Sequence, residues 1–380
     1  MDLSEFESIC PYSDEEAAKA FARISRHPAI PIISKYLFPG YPMGFLRGLI
    51  SSVETIDEFQ QVVMSKVVNA IVEKTSDGFT FDGIENLRNI GGRYLAVSNH
   101  RDIILDPALT QWTLFSEKLP MTEICVGSNL LSGSLVEDLL RSNKMIKVIR
   151  GISARELYLS SKLLSKYIRQ SITSGTSSVW IAQKEGRTKD GMDTTEQGLL
   201  KMFDMSGEGT FLENFKELNI VPMSISYEYE PCDAKKAREI YLKARDGKYE
   251  KKPKEDLHSI LTGIRQYKGH IHLSIGKPLT DEEISNASQC TGNDRYQAIR
   301  HAVDLRVREG YKLWKTNYIA YDLMNGTDKY ACRYTDEDMA AFKKYVEHKI
   351  GKLERKIDRD EIRNIFLHIY GNPVVAKEQL

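Results

Sequence analysis

The sequence predicts an α/β fold: a mixed, largely parallel sheet flanked by helices, with helical extensions at both ends. Short β-rich runs recur at RYLAVS, EICVGS, MIKVIRG, SSVWIAQ, LNIVPMSISYE and HIHLSIGKPL. Helix-like stretches such as SARELYLSSKLLSKYIRQSI and CDAKKAREIYLKARD separate them. That alternation favours a layered, mainly parallel sheet. Outside this region the strand signals stop. In open sheets of this kind ligands bind at the carboxyl ends of strands, so the residues just after each β-rich run are the functional candidates.

Residues 1–85 read as a helical region. SDEEAAKAFARI opens on a serine cap followed by acidic residues, as a helix N-terminus prefers. VETIDEFQQVVMSKVVNAIVEK carries apolar residues at helical spacing. Between them HPAIPIISKYLFPGYPMGFLRGLI is punctuated by prolines and is unusually apolar and aromatic for a connector. Residues 86–282 hold the β-rich runs and form the expected α/β domain. Residues 283–380 read as a helical C-terminal extension, with amphipathic or highly charged helices over 293–323, 335–353 and 358–371.

The 380 residues are 41% hydrophobic and 28% charged, an ordinary globular composition. Lys plus Arg and Asp plus Glu balance at 53 each, so the basic footprint of a nucleic-acid binder is missing. The scattered cysteines Cys10, Cys125, Cys232, Cys290 and Cys332 form no CxxC pair and suit a reducing cytoplasm. The acidic N-terminus does not resemble a secretory signal. No apolar run reaches the roughly 18–20 residues of a membrane span. A cytoplasmic protein, soluble or peripheral at the membrane, is expected.

Four strand ends carry candidate chemistry. The first is SNHRDIILD at 98–106. Its HRD triplet is not a kinase catalytic loop, because Pro107 stands where that motif needs Asn, and neither DFG nor a glycine-rich loop is present. A histidine oriented by a carboxylate is what a general base for a hydroxyl nucleophile requires. His100 reads equally as a structural polar residue, and Asp106 as a helix N-cap with Pro107 at the first helical position. The second is QKEGRTKDG at 183–191. Gly186 permits backbone that a side chain would block, and Arg and Lys beside exposed amides suit a phosphate; a solvated turn would look the same. The third is Arg150 and Gly151 after MIKVI. The fourth is IVPMSISYE, where Pro222 points to an edge, a bulge or a strand start.

Together, in this order, the four blocks resemble the glycerolipid acyltransferase superfamily, which includes glycerol-3-phosphate and 1-acylglycerol-3-phosphate (lysophosphatidate) acyltransferases; the chain looks like a bacterial member. The matching residues are Asn99-His100…Asp106, Ile149-Arg150, Glu185-Gly186-Arg187-Thr188 and Val221-Pro222, with HLSIGKPL resembling the domain end. The resemblance covers roughly 86–282 and implies an acyltransferase-type sheet. Two departures stand out. One extra residue intervenes in the NHxxxxD spacing, leaving Leu105 where the Asp is expected, so Asp106 or Asp102 must pair with His100; Asp106 is preferred. Arg187 also follows Gly186 one position early.

The resemblance implies O-acyl transfer from an acyl thioester, acyl-CoA or acyl-carrier protein, to 1-acylglycerol-3-phosphate in phospholipid biosynthesis. His100 would be the base, Asp106 its orienting partner, and Glu185 would order the site or bind a glycerol hydroxyl. Asn99, Arg101, Arg150, Gly186, Arg187 and Thr188 would bind substrate. Neither a cofactor nor a metal is expected, and His270 and His272 are read as lacking further ligands nearby. Glycerol-3-phosphate or a non-phosphate acylated lipid are alternative acceptors. A non-catalytic lipid- or acyl-carrier-binding relative and a thioester hydrolase are alternative functions. Residues 30–50 either dock on the inner face of a membrane or pack on the α/β domain. Residues 231–270 hold eleven Lys and Arg against six Asp and Glu; they would meet anionic lipid or acyl-carrier protein, or form a solvated helical face.

Overall fold

The computed structural model describes residues 4–131, 133–150 and 153–380; Gly151 lies outside them. Seven strands form one sheet: β1 (Gly78–Asp82), β2 (Leu95–Ser98), β3 (Glu123–Gly127), β4 (Met145–Val148), β5 (Val179–Ala182), β6 (Ile220–Tyr227) and β7 (His270–Ile275). Their order is β1-β7-β6-β2-β5-β3-β4. Every neighbouring pair is parallel except β6 with β7, so the sheet is mixed and largely parallel, as expected.

Side-chain alternation on the central strands splits the core into two layers. Leu95 and Val97 of β2 face one layer with Leu164, Ile168, Phe203 and Val303. Ala96 faces the other with Leu105, Leu109, Val221, Met223 and Ile225. The helix Leu105–Ser116 therefore lies on one face and Ala154–Thr173 on the other. The helix Asp294–Gly310, beyond residue 282, adds Ile299 and Val303 to the same layer as Ala154–Thr173.

Two local expectations are corrected. β1 falls inside the stretch read as helical. Its alternation is short, but Phe79 and Phe81 share a face and pack on the second layer. Gly83 ends it at φ +72°, where a Cβ would meet the Ile275 carbonyl oxygen at 2.0 Å. Pro222 sits in a central strand, opposite Val97 of β2. Its carbonyl accepts from Gly276 N at 2.9 Å, which aims its donorless nitrogen toward β7. The β6–β7 ladder begins at the next residue, Met223. The missing donor thus falls where no ladder bond is due.

Residues 30–50 are packed in part: Leu37 joins the second core layer, and Ile30, Leu46 and Ile50 join a separate cluster of N-terminal helices. Ile30, Leu37, Leu46 and Ile50 are buried, while Ile32, Tyr41 and Met43 are 70%, 58% and 68% exposed. Ser13 caps the first long helix as expected, in a capping box with Glu16. Among the described residues no helix is long and apolar enough to cross a membrane. The five cysteines are unpaired.

Candidate active site

His100 follows β2 at the carboxyl end of the parallel strands. Its Nδ1 lies 2.8 Å from Asp106 Oδ2. The same oxygen accepts the backbone N–H groups of Arg101 (2.5 Å) and Asp102 (2.8 Å). Asp106 Oδ1 accepts the Tyr227 hydroxyl at 2.7 Å. Such a carboxylate offers no proton, so His100 Nδ1 carries one and Nε2 is left as the acceptor. The ring is held edge-on to Trp180, with centroids 5.9 Å apart.

These contacts decide which aspartate meets the histidine. Asp102 Oδ1 instead accepts Ile104 N and Leu105 N, both at 2.9 Å, and ties down the start of the helix. The extra residue is absorbed in that turn, and Asp106 swings back from the first turn of the helix. It is not the N-cap that its position before Pro107 suggested, since the helix already starts at Leu105.

Asn99, Arg101 and Thr188, expected at the substrate, lie beneath the site instead. All three are buried. Asn99 exchanges hydrogen bonds with the Ile225 backbone and donates to Asp193 at 2.9 Å, clipping β2 to β6. Thr188 donates its hydroxyl to Asp193 (2.7 Å) and its N–H to the His100 carbonyl (2.7 Å). Arg101 turns inward to Asp193 (2.6 Å) and Glu230 (3.4 Å), with its guanidinium over Tyr311. Burial opposes its charge, but Asp193, Tyr311 and Glu230 outweigh that and hold its pKa well above the ordinary arginine value. Lys236 completes the cluster, donating to Glu230 (2.5 Å) and the Arg101 carbonyl (2.7 Å). Part of the basic stretch 231–270 is therefore interior scaffold rather than solvated face.

Arg150, Gly186 and Arg187 line a cleft beside His100 of about 790 Å³, open solvent at its mouth included. Its walls are apolar: Ile103, Ile104, Pro107, Ile124, Leu140, Met145 and Trp180. Arg150, Arg187, Lys189 and Lys251 add a mostly basic rim, together with Asp256, which pairs with Lys251 at 2.6 Å. Arg150 reaches over Gly127, where a Cβ would come within 3.0 Å of the guanidinium carbon. Glu185 lies 3.4 Å from Arg150 and its side chain is 69% exposed. It pairs with the rim arginine rather than with the His100–Asp106 pair, so its expected place among the catalytic groups is not supported by contact. Gly186 turns the loop at φ +74°, a left-handed conformation that favours glycine. Arg187 Nη1 is buried without a hydrogen-bond partner among the described residues.

Sequence reasoning missed Tyr227, Trp180, Asp193 and Glu230, whereas Lys189 belongs to the 183–191 loop read as suiting a phosphate and Lys251 to the basic stretch 231–270. Only Tyr227 had a readable signal: it ends the alternating row Val221, Met223, Ile225, placing a polar tip at a carboxyl end. The histidines of β7 also differ from expectation. Asp77, Glu228 and His270 bring potential metal-donor atoms within 4.8 Å of one another. Glu228 already accepts from His270 Nδ1 at 2.7 Å, and Tyr267 donates to Asp77.

Residues 78–226 match the protein-family model described as Acyltransferase. A search of curated proteins returns no match. Among solved structures, the 1-acyl-sn-glycerophosphate (LPA) acyltransferase PlsC from Thermotoga maritima aligns at 12% identity and a TM-score of 0.41, covering 78% of this chain and 93% of that one. At that score the two superpose only loosely. The family match spans β1 through most of β6 and includes His100, Asp106, Arg150 and the 185–188 block. Residues 78–226 form an acyltransferase-family domain, and the chain that carries them is an acyltransferase enzyme.

Proposed function

We propose that the enzyme moves a fatty acyl group from an acyl thioester, acyl-CoA or acyl-carrier protein, to the free hydroxyl of 1-acylglycerol-3-phosphate. The observation that carries this reading is the 2.8 Å His100–Asp106 contact at the edge of an apolar cleft with a basic rim. Apolar walls suit acyl chains, and the rim suits a phosphate.

The acceptor hydroxyl gives its proton to His100 Nε2 as its oxygen attacks the thioester carbonyl. Asp106 offsets the imidazolium charge that forms at that moment. The tetrahedral oxyanion then collapses, the C–S bond breaks, and the thiolate takes the proton from His100. A thiolate is a good enough leaving group that this chemistry needs neither a metal nor a nucleophilic cysteine. Arg150 and Arg187 bind the phosphate, with Glu185 positioning Arg150.

We place the enzyme at the cytoplasmic membrane surface, peripherally. Exposed Ile32, Tyr41 and Met43 support this, as do Leu157, Tyr158 and Leu159 near the start of the helix after Arg150.

The test is thiol release from a long-chain acyl thioester with lysophosphatidate, glycerol-3-phosphate or no acceptor, with products identified by mass. Release that requires lysophosphatidate and is lost in His100→Ala supports the proposal. Preference for glycerol-3-phosphate or for a lipid without phosphate would reassign the acceptor. Release without any acceptor would replace transfer by hydrolysis.

A further inference from the structure

Resting on the acyl-transfer reading, we propose that Tyr227 is a positioning residue for the reaction: its hydroxyl locks Asp106 so that the carboxylate holds His100 as the base. β6 runs well past the end of its neighbour β2. β2 ends at Ser98, paired with Met223, while β6 continues to Tyr227. That overhang, on the face shared by Met223 and Ile225, carries the Tyr227 ring to the first turn of the helix Leu105–Ser116. There its hydroxyl meets Asp106 Oδ1 at 2.7 Å.

The two oxygens of Asp106 thus have separate duties. Oδ2 takes His100 Nδ1 and two backbone amides. Oδ1 has Tyr227 as its one hydrogen-bond partner among the described residues. Asp106 is 1% exposed, so water cannot replace a lost partner easily, and a buried carboxylate oxygen without one is costly. Without the hydroxyl, the carboxylate stays beside the histidine with more of its charge uncompensated, but it is no longer fixed at the angle that aims His100 Nε2. Tyr227 remains a proton donor at any working pH, because burial, followed by Asp106 and Asp102, raises its pKa well above the ordinary tyrosine value.

The neighbouring charges do not duplicate this role. Asp102 uses Oδ1 at the helix start, and Lys268 bears on Asp102. Glu230 is neutralised by Lys236 and Arg101. Tyr227 is therefore the side chain that links the sheet to the orienting carboxylate.

The experiment compares Tyr227→Phe with the parent enzyme in steady-state kinetics and in an NMR titration of the His100 ring. Tyr227→Phe should lower kcat by roughly ten- to a hundredfold with KM values within about twofold. Removing the donor leaves more charge on Asp106, so the His100 titration and the acid limb of the rate profile should move to higher pH. On an Asp106→Asn background the same substitution should have little further effect. Should Tyr227→Phe fold poorly, 3,5-difluorotyrosine at position 227 keeps the shape, strengthens the donor and should move the titration to lower pH. An unchanged kcat with an unmoved titration, or a full additional loss on the Asp106→Asn background, overturns the proposal. Activity surviving in His100→Ala would sink the acyl-transfer reading instead, and the ring titration, which needs no substrate, would still decide the role of Tyr227.

Discussion

The two ends of the parallel strands hold clefts of opposite chemistry. At the carboxyl ends, about 790 Å³ is lined by apolar side chains with His100 and a rim of Arg150, Arg187, Lys189 and Lys251. At the amino ends, about 830 Å³ is lined by Cys10, Asp14, Asp57, Glu123, Lys144 and Tyr167. Glu123 there is pushed up to about 7, chiefly by burial, with Tyr167 and Lys144 opposing. One cleft sets His100 beside Asp106 and carries Arg150, Arg187, Lys189 and Lys251 together with Asp256. The other holds a carboxyl group that burial keeps near neutral, which is a feature of packing between the N-terminal helices and the sheet.

The largest expected effect tests the carboxyl end directly. His100→Ala should lower acceptor-dependent thiol release by about 10²–10⁴-fold. A loss of threefold or less would remove the distinction between the two cavities. Next comes the scaffold beneath that site. Arg101→Met leaves Asp193 and Glu230 without their shared cation and should cost about 3–5 kcal/mol in chemical denaturation. Stability close to the parent's would mean that the cluster carries no structural weight.

Glu123 probes the opposite end. Its folded-state pKa of about 7 lies above the ordinary 4.5, so the folded protein binds the extra proton between those values. The stability this gives is full below about pH 4.5 and is lost as pH rises through about 7. Glu123→Gln should flatten that fall, by about 1–3 kcal/mol between pH 5 and 8, without altering kcat at neutral pH. Parallel stability curves for the two proteins would show that the amino-end cavity is wet. The smallest effect belongs to the rim: Arg150→Ala should raise KM for a phosphate-bearing acceptor by roughly tenfold with kcat little changed. An equal effect on an acceptor without phosphate would assign Arg150 to the acyl donor.

The contrast between the site and its scaffold also measures how far the sequence could be read. His100, Asp102 and Asp106 stand close together in SNHRDIILD, so a histidine–carboxylate pair was visible before any fold was known, but not which aspartate would close it. Arg150 and the 185–188 loop were legible because they follow β-rich runs in an α/β pattern. Asn99, Arg101 and Thr188 were assigned to substrate because they adjoin those motifs. The structure turns each of them inward, toward Asp193, a residue that the sequence never suggested. Glu185 faces Arg150 rather than the histidine for a similar reason: the direction of a loop side chain is set by what packs beneath the loop.

The sequence by itself determined the layered α/β class, the strand ends that carry candidate chemistry and His100 as the candidate base. Hydrophobic period and turn residues are local properties, and they suffice for that much. Only the tertiary structure decided that Asp106 rather than Asp102 meets His100, that Tyr227 braces the carboxylate, and that Lys236 from a basic surface-like stretch is interior. Each of these joins residues far apart in the chain or depends on one turn's conformation. The free energy of burying a charge with its partner settles such contacts, and it is defined only once the surrounding elements are in place.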